Sequence, residues 1–361
     1  MAKISSRQLY FLLACIMPVG KLILMPTHLV HDAKNDLLIP AAANILIQAG
    51  MIFIVMLLSR SNKQLYDLLD YTFGRIVAKV LTALFALFLF FAALMPLLEQ
   101  KLLVQSVFYD TLPSLLVFSP FFLFSIYICA TPISSFGRVW DLLAPISIVS
   151  FIGIIAFSFG SADFGALLPV GASGAKSIVS AGAYTMSWFY DSALILCLMG
   201  KFEYKKNMAW KSALFYLLGG LAILLFLAIF YGIFEELSLR QLFAFSKTSK
   251  YFSAITAMGR IDYIFIYAIA LVMAYFCTLP LHAGVDCMNR AFGGNKVATP
   301  LYAVGVNLVM LVVSIVLDFN YATVSNLLTR TLFWIFPAFC VLLPLLCLLL
   351  RRSPREKRKV S

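Results

Sequence analysis

Apolar residues come in long unbroken runs along this chain, separated by short polar stretches. Residues 81–98, 213–231 and 331–350 each approach or reach the ~20 residues that a helix needs to span hydrocarbon. Only helices and closed barrels satisfy their backbone polar groups there, and barrel strands alternate apolar with polar positions. The continuous runs therefore predict an all-α polytopic membrane protein with about ten transmembrane helices. The spans fall at about 8–29, 36–59, 78–107, 113–132, 140–160, 176–200, 209–233, 258–290, 298–318 and 325–350. Connecting stretches are too short for a soluble domain, so residues 1–350 read as one transmembrane domain. The longest, about 235–259, is expected to hold a short amphipathic helix around Leu237 to Phe245.

Two spans are interrupted. The first carries Pro18-Val19-Gly20-Lys21 near mid-depth, where proline removes a backbone hydrogen bond and glycine loosens the next turn. The sixth is approached through Gly171, Gly174 and Gly182 and then reads Ser187-Trp188-Phe189-Tyr190-Asp191. Interrupted helices at matching places in two halves point to an inverted-repeat transporter. The expectation is a five-plus-five repeat with half-repeats at about 8–160 and 176–350 and broken helices one and six.

Composition agrees with that reading. Hydrophobic residues make up 62% of the 361 and charged residues 12%, against roughly 25% charged in soluble domains. The net charge of +12 would suggest a nucleic-acid partner in a soluble protein, but here its distribution follows the positive-inside rule. Lys3, Arg7, Arg60, Lys63, Arg75, Arg138, Lys201, Lys205, Lys206, Arg290 and Lys296 fall on one side, with a basic tail at 351–361. The other side holds mainly Lys34, Lys176, Arg240, Lys247, Lys250 and Arg330. Both termini are thereby expected in the cytoplasm. The first twenty residues resemble a signal peptide but lack a small-residue cleavage site, so they read as the first helix. Seven cysteines form no C-x-x-C pair, and His28, His31 and His282 are scattered, so no disulfide framework, metal site or cofactor is expected. No nucleophile–base set or phosphate loop points to an enzyme.

Lys21 is the sharpest chemical feature. A charge inside a span costs at least ~2.5–3.5 kcal/mol on insertion scales, so it faces a cavity or a partner. It either serves as a built-in cation or titrates; the structural alternative is snorkelling to the surface. Asp191, on the cytoplasmic side of the sixth-helix break, is placed to bind a ligand ammonium, pair with Lys21 or carry a proton. The two differ in depth by roughly 9 Å if both helices run straight at ~1.5 Å per residue. Glu99, about 6 Å from Lys21 in depth by the same arithmetic, is the alternative partner, unless it and Lys101 mark a helix end facing water. Arg260 and Asp262 read as an interfacial pair. Tyr184, Trp188, Phe189 and Tyr190 line the sixth helix and offer ring faces to an ammonium group, although any one ring can equally be packing.

The order of motifs resembles the spore germination permease family, the B-type membrane subunit of germinant receptors, within the amino acid–polyamine–organocation superfamily. Ile4-Ser5-Ser6-Arg7-Gln8-Leu9-Tyr10-Phe11-Leu12-Leu13 is similar to its opening, followed by Gly20 and Pro26. Gly74-Arg75-Ile76-Val77-Ala78-Lys79-Val80-Leu81 is similar to its entry to helix three, and Leu168-Pro169-Val170 to the segment before helix six. Ser187-Trp188-Phe189-Tyr190-Asp191 stands where the family tends to read S-F-P-F-G-E, and Gly259-Arg260-Ile261-Asp262-Tyr263 is similar to its start of helix eight. Lys21, Trp188, Tyr190 and Asp191 depart from the usual small, proline, glycine and glutamate residues. The resemblance implies a subunit that senses or transports a small germinant, typically an amino acid, in the spore inner membrane beside A-type and C-type partners. It also implies that helix eight faces helix one, so that Thr278 and Pro280 flank a cation site. Two other readings are a free-standing proton- or cation-coupled amino acid transporter and a non-transporting membrane scaffold.

Overall fold

The computed structural model describes residues 3–107, 112–251, 262–293 and 298–349. Among them the regular elements are helices, and the extended pairing is a single bridge between Ile4 and Phe202. The helices are α1 (Ser6–Lys21), α2 (Met25–Asp36), α3 (Leu38–Leu58), α4 (Leu65–Phe73), α5 (Arg75–Val107), α6 (Ser114–Ala130) and α7 (Ile133–Ser158). They continue as α8 (Ala175–Thr185), α9 (Asp191–Leu198), α10 (Met208–Phe234), α11 (Ala244–Thr248), α12 (Asp262–Ala291), α13 (Ala298–Asp318), α14 (Tyr321–Thr331) and α15 (Ile335–Leu349).

Six of these are long and apolar enough to cross a membrane, or eight when α1 with α2 and α14 with α15 each count as one bent span. Their surfaces say the same. Only 28% of the most apolar stretch of α13 is buried, and Leu301, Leu308, Val312 and Val316 point outward. A soluble monomer does not keep such a face in water, whereas hydrocarbon solvates it at no cost. The chain is a membrane protein.

The first break is where proline and glycine predict it, and it is larger than a kink. Helix α1 widens to a π-helix over Leu12–Ile16 and tightens to a 3-10 helix over Met17–Lys21, and α2 then departs at 62°. The carbonyls freed there need partners, because an unpaired buried carbonyl costs about as much as a lost hydrogen bond. The amide of Ala244 donates to the Ile23 carbonyl at 2.9 Å and that of Phe245 to the Leu22 carbonyl at 3.2 Å. The loop segment expected to form one amphipathic helix is therefore split. It has a 3-10 turn over Glu235–Arg240, then α11, whose first amides close the break. Phe243, held at φ 61°, turns the chain to aim them.

The second break divides the sixth predicted span. Helix α8 ends in a 3-10 turn over Met186–Trp188, Phe189 and Tyr190 are non-helical, and α9 starts at Asp191. A third break, of 54° between α14 and α15, has no counterpart in the sequence expectations. Its signals were Pro337, which lacks an amide, and the π-helical turn over Leu327–Thr331. Helices α5 and α12 pack along each other as the central pair, and α3 packs on α10. Arg260 and the basic tail at 351–361 lie outside the described residues.

Candidate functional site

The first two breaks meet in the interior. Lys21 is the last residue of the 3-10 segment and Asp191 the first residue of α9. Lys21 Nζ lies 3.0 Å from Asp191 Oδ1 and 2.8 Å from Oδ2, and each side chain is only 1% exposed. The depth gap calculated for straight helices vanishes because neither helix is straight at that level. The lysine also donates to the Met17 carbonyl at 3.2 Å and stands 5.2 Å from the centre of the Phe189 ring. Carboxylate, carbonyl and ring face are the complements of an ammonium group. The backbone adds to this, since the N-terminus of α9 favours an anion and the end of the α1 segment favours a cation.

Glycine permits the approach. A Cβ on Gly20 would stand 2.5 Å from the Phe276 ring of α12, and one on Gly219 would stand 2.8 Å from Pro18 Cγ and from the Ala14 carbonyl oxygen. Thus α10 and α12 close on helix one from two sides. From α10, Tyr216 donates its hydroxyl to Asp191 Oδ2 at 2.6 Å. That residue was not singled out from the sequence. A tyrosine in an apolar run rich in rings carries no signal of its own, although a buried phenol needs a partner.

Glu99 stands beside this centre with a different partner. It is fully buried and accepts from Trp188 Nε1 at 2.6 Å, with the Leu24 amide facing the same carboxylate. Its Oε2 receives no well-formed hydrogen bond. The Trp188 ring packs on His28 with centroids 5.0 Å apart. Tyr190 is buried with its hydroxyl unpartnered and its ring 6.2 Å from that of Phe276. On α3, Gln48 accepts from the Ser192 amide at 3.1 Å, while its own Nε2 finds no acceptor.

Pro18, Gly20, Lys21, Trp188, Tyr190 and Asp191 are thus brought together, with Glu99 joined through Trp188. Two other candidates are not. Tyr184 lies toward one end, its ring 5.3 Å from the Arg330 guanidinium and 5.7 Å from the Phe333 ring. Thr278 is buried and donates to the Tyr275 carbonyl of its own helix at 2.7 Å. Lys101 does not face water: it is 6% exposed and pairs with Asp318 at 2.6 Å, where Ser114 also donates at 2.5 Å. Asp262 is buried in the first turn of α12.

Charged contacts tie the elements at both ends of the site. At one end Arg330 of α14 reaches Asp32 of α2 at 3.0 Å, and Asp36 accepts from the Gly171 and Ser173 amides at 2.6 and 2.8 Å. At the other, Lys201, just beyond α9, pairs with Asp286 of α12 at 2.9 Å, and Arg290 joins the same carboxylate at 3.0 Å. A cavity of about 550 Å³ opens elsewhere, between α5, α6, α7 and α12. Its wall is mainly apolar, with Phe118, Phe121, Leu143 and Leu271 among its lining, and it includes neither Lys21 nor Asp191.

A family profile described as spore germination protein matches residues 3–349. No curated protein matches the chain well enough to stand as a relative.

Proposed function

The chain belongs to the spore germination protein family, and we propose that it senses or transports a small germinant, an amino acid or similar primary amine, where its two breaks meet. The observation that carries this reading is the buried Lys21–Asp191 pair. Asp191, the Met17 carbonyl and the Phe189 ring form an acceptor set suited to any ammonium, and Lys21 fills it with the chain's own. A ligand ammonium would engage Asp191 by displacing Lys21.

In this reading the protein is a non-enzymatic membrane subunit with ten crossings, α8 with α9 and the shorter α6 completing the count. Packing of α3 on α10, α5 on α12 and α6 on α13 supports the five-plus-five repeat, since a two-fold axis maps each such pair onto itself. Both termini face the cytoplasm, the membrane is the spore inner membrane, and A-type and C-type subunits are the partners. The site is closed by the contacts of Arg330 with Asp32 and of Lys201 with Asp286.

Binding of a panel of labelled amino acids to the full chain in nanodiscs tests the assignment. Wild type should bind at least one of them, and Asp191→Asn should bind it at least tenfold more weakly. Equal binding by both would remove Asp191 from the site. A second reading, a scaffold without a ligand, draws on the site's being filled by Lys21. It gains if neither wild type nor Lys21→Ala binds any member of the panel.

A further inference from the structure

Buried charge in the core does not balance. Lys21 is matched by Asp191, and Lys101 by Asp318. Glu99 is equally buried, and among the described residues no cation lies within ion-pairing distance of it. Neutral dipoles alone face it. They are the Trp188 indole and the Leu24 amide, with Tyr190 between α8 and α9, Cys277 of α12 and Tyr321 of α14 within electrostatic reach. The His28 ring of α2 packs against Trp188, centroids 5.0 Å apart. Phenols and thiols are uncharged at neutral pH, and an indole or amide carries no charge at all. None of these groups can neutralise a carboxylate.

An isolated carboxylate in a low-dielectric interior takes up a proton in preference to staying charged. One oxygen shows what each state would need. Oε1 has its donor in Trp188, whereas Oε2 receives no well-formed hydrogen bond and meets no cation, and so is the oxygen free to carry hydrogen.

We propose that Glu99 is a proton-binding site in the membrane-embedded core, occupied by a proton on Oε2 in the closed arrangement described here. The ligand is the proton itself, and the step is simple: an O–H bond forms on Oε2 and the carboxylate charge disappears. Because Trp188 belongs to the same break as Asp191, movement of that break would alter the hydrogen bond holding Oε1. The proton site is therefore mechanically joined to the ammonium site while being chemically separate from it. The inference does not rest on what germinant, if any, the protein binds.

Infrared spectroscopy of the full chain in nanodiscs in heavy water reads it directly. At neutral pH, wild type should show a carboxylic-acid carbonyl band worth about one group per chain. The band should persist in Glu203→Gln, which changes an exposed carboxylate, and vanish in Glu99→Gln. Wild type labelled with ¹³C-carboxyl glutamate needs no mutation and guards against a variant that fails to fold. Glu203, Glu235 and Glu236 are exposed, so among the described glutamates a band that shifts with this label reports Glu99, and its loss in Glu99→Gln separates it from Glu356 of the tail. No acid band at neutral pH, or a band unmoved by glutamate labelling, would overturn the proposal.

Discussion

Two carboxylates flank one helix break and are treated in opposite ways. Asp191 is charged company: it meets a lysine through both oxygens and a tyrosine hydroxyl through one, and it sits at a helix N-terminus. Glu99, joined to the other side of the break through Trp188, meets one indole and an amide and no cation. Burial is the same for both, so partner chemistry alone separates a held negative charge from a site for a proton. The break therefore holds two carboxylates whose surroundings differ in a way that exposure values alone would not distinguish.

Removing one member of the Lys21–Asp191 pair should have the largest effect, because it strands a charge in the core. Lys21→Met is expected to destabilise the protein by about 3–5 kcal/mol, while Lys21→Met with Asp191→Leu should recover most of that loss. Thermal melting in nanodiscs checks both; a double variant as unstable as the single would break the comparison, since the charge would then not be the cause. Tyr216→Phe comes next. It deletes a hydrogen bond to a charged group and should cost about 1.5–3 kcal/mol, by the same melting assay. Trp188→Phe deletes the hydrogen bond to Glu99 and also removes buried ring volume packed on His28. A neutral acid should keep the cost of this change in wild type within about 1 kcal/mol of its cost in the Glu99→Gln background, where the volume loss is the same. If Trp188→Phe costs clearly more in wild type than in the Glu99→Gln background, Glu99 is charged and the contrast fails. Arg330→Gln should matter least, within about 1 kcal/mol of wild type. Its contact with Asp32 is partly exposed, with the arginine side chain 42% accessible.

Much of this was legible in the sequence, for identifiable reasons. Spans are written in the lengths of apolar runs, and the breaks near Gly20 and Trp188 in proline, glycine and polar residues that hydrocarbon does not tolerate idly. Lys21 and Asp191 could be named because each is expensive where it stands. Their contact was not, since depth arithmetic assumes straight helices and both helices unwind at the level in question. Tyr216, and the Trp188–Glu99 bond, depend on which faces of separate helices meet, and no local pattern encodes that. The α11 amides that cap the Leu22 and Ile23 carbonyls were equally hidden. Backbone donors have no sequence signature, and the expectation of one amphipathic helix overlooked the turn at Phe243.

The central claim is that Lys21 occupies a place suited to a ligand's ammonium group. Equilibrium binding of labelled amino acids to wild type and Lys21→Ala, side by side in the same nanodiscs, tests it most directly. The account predicts at least tenfold tighter binding in Lys21→Ala for the amino acid that wild type prefers, because the tethered competitor is gone. Equal or weaker binding in Lys21→Ala would contradict it.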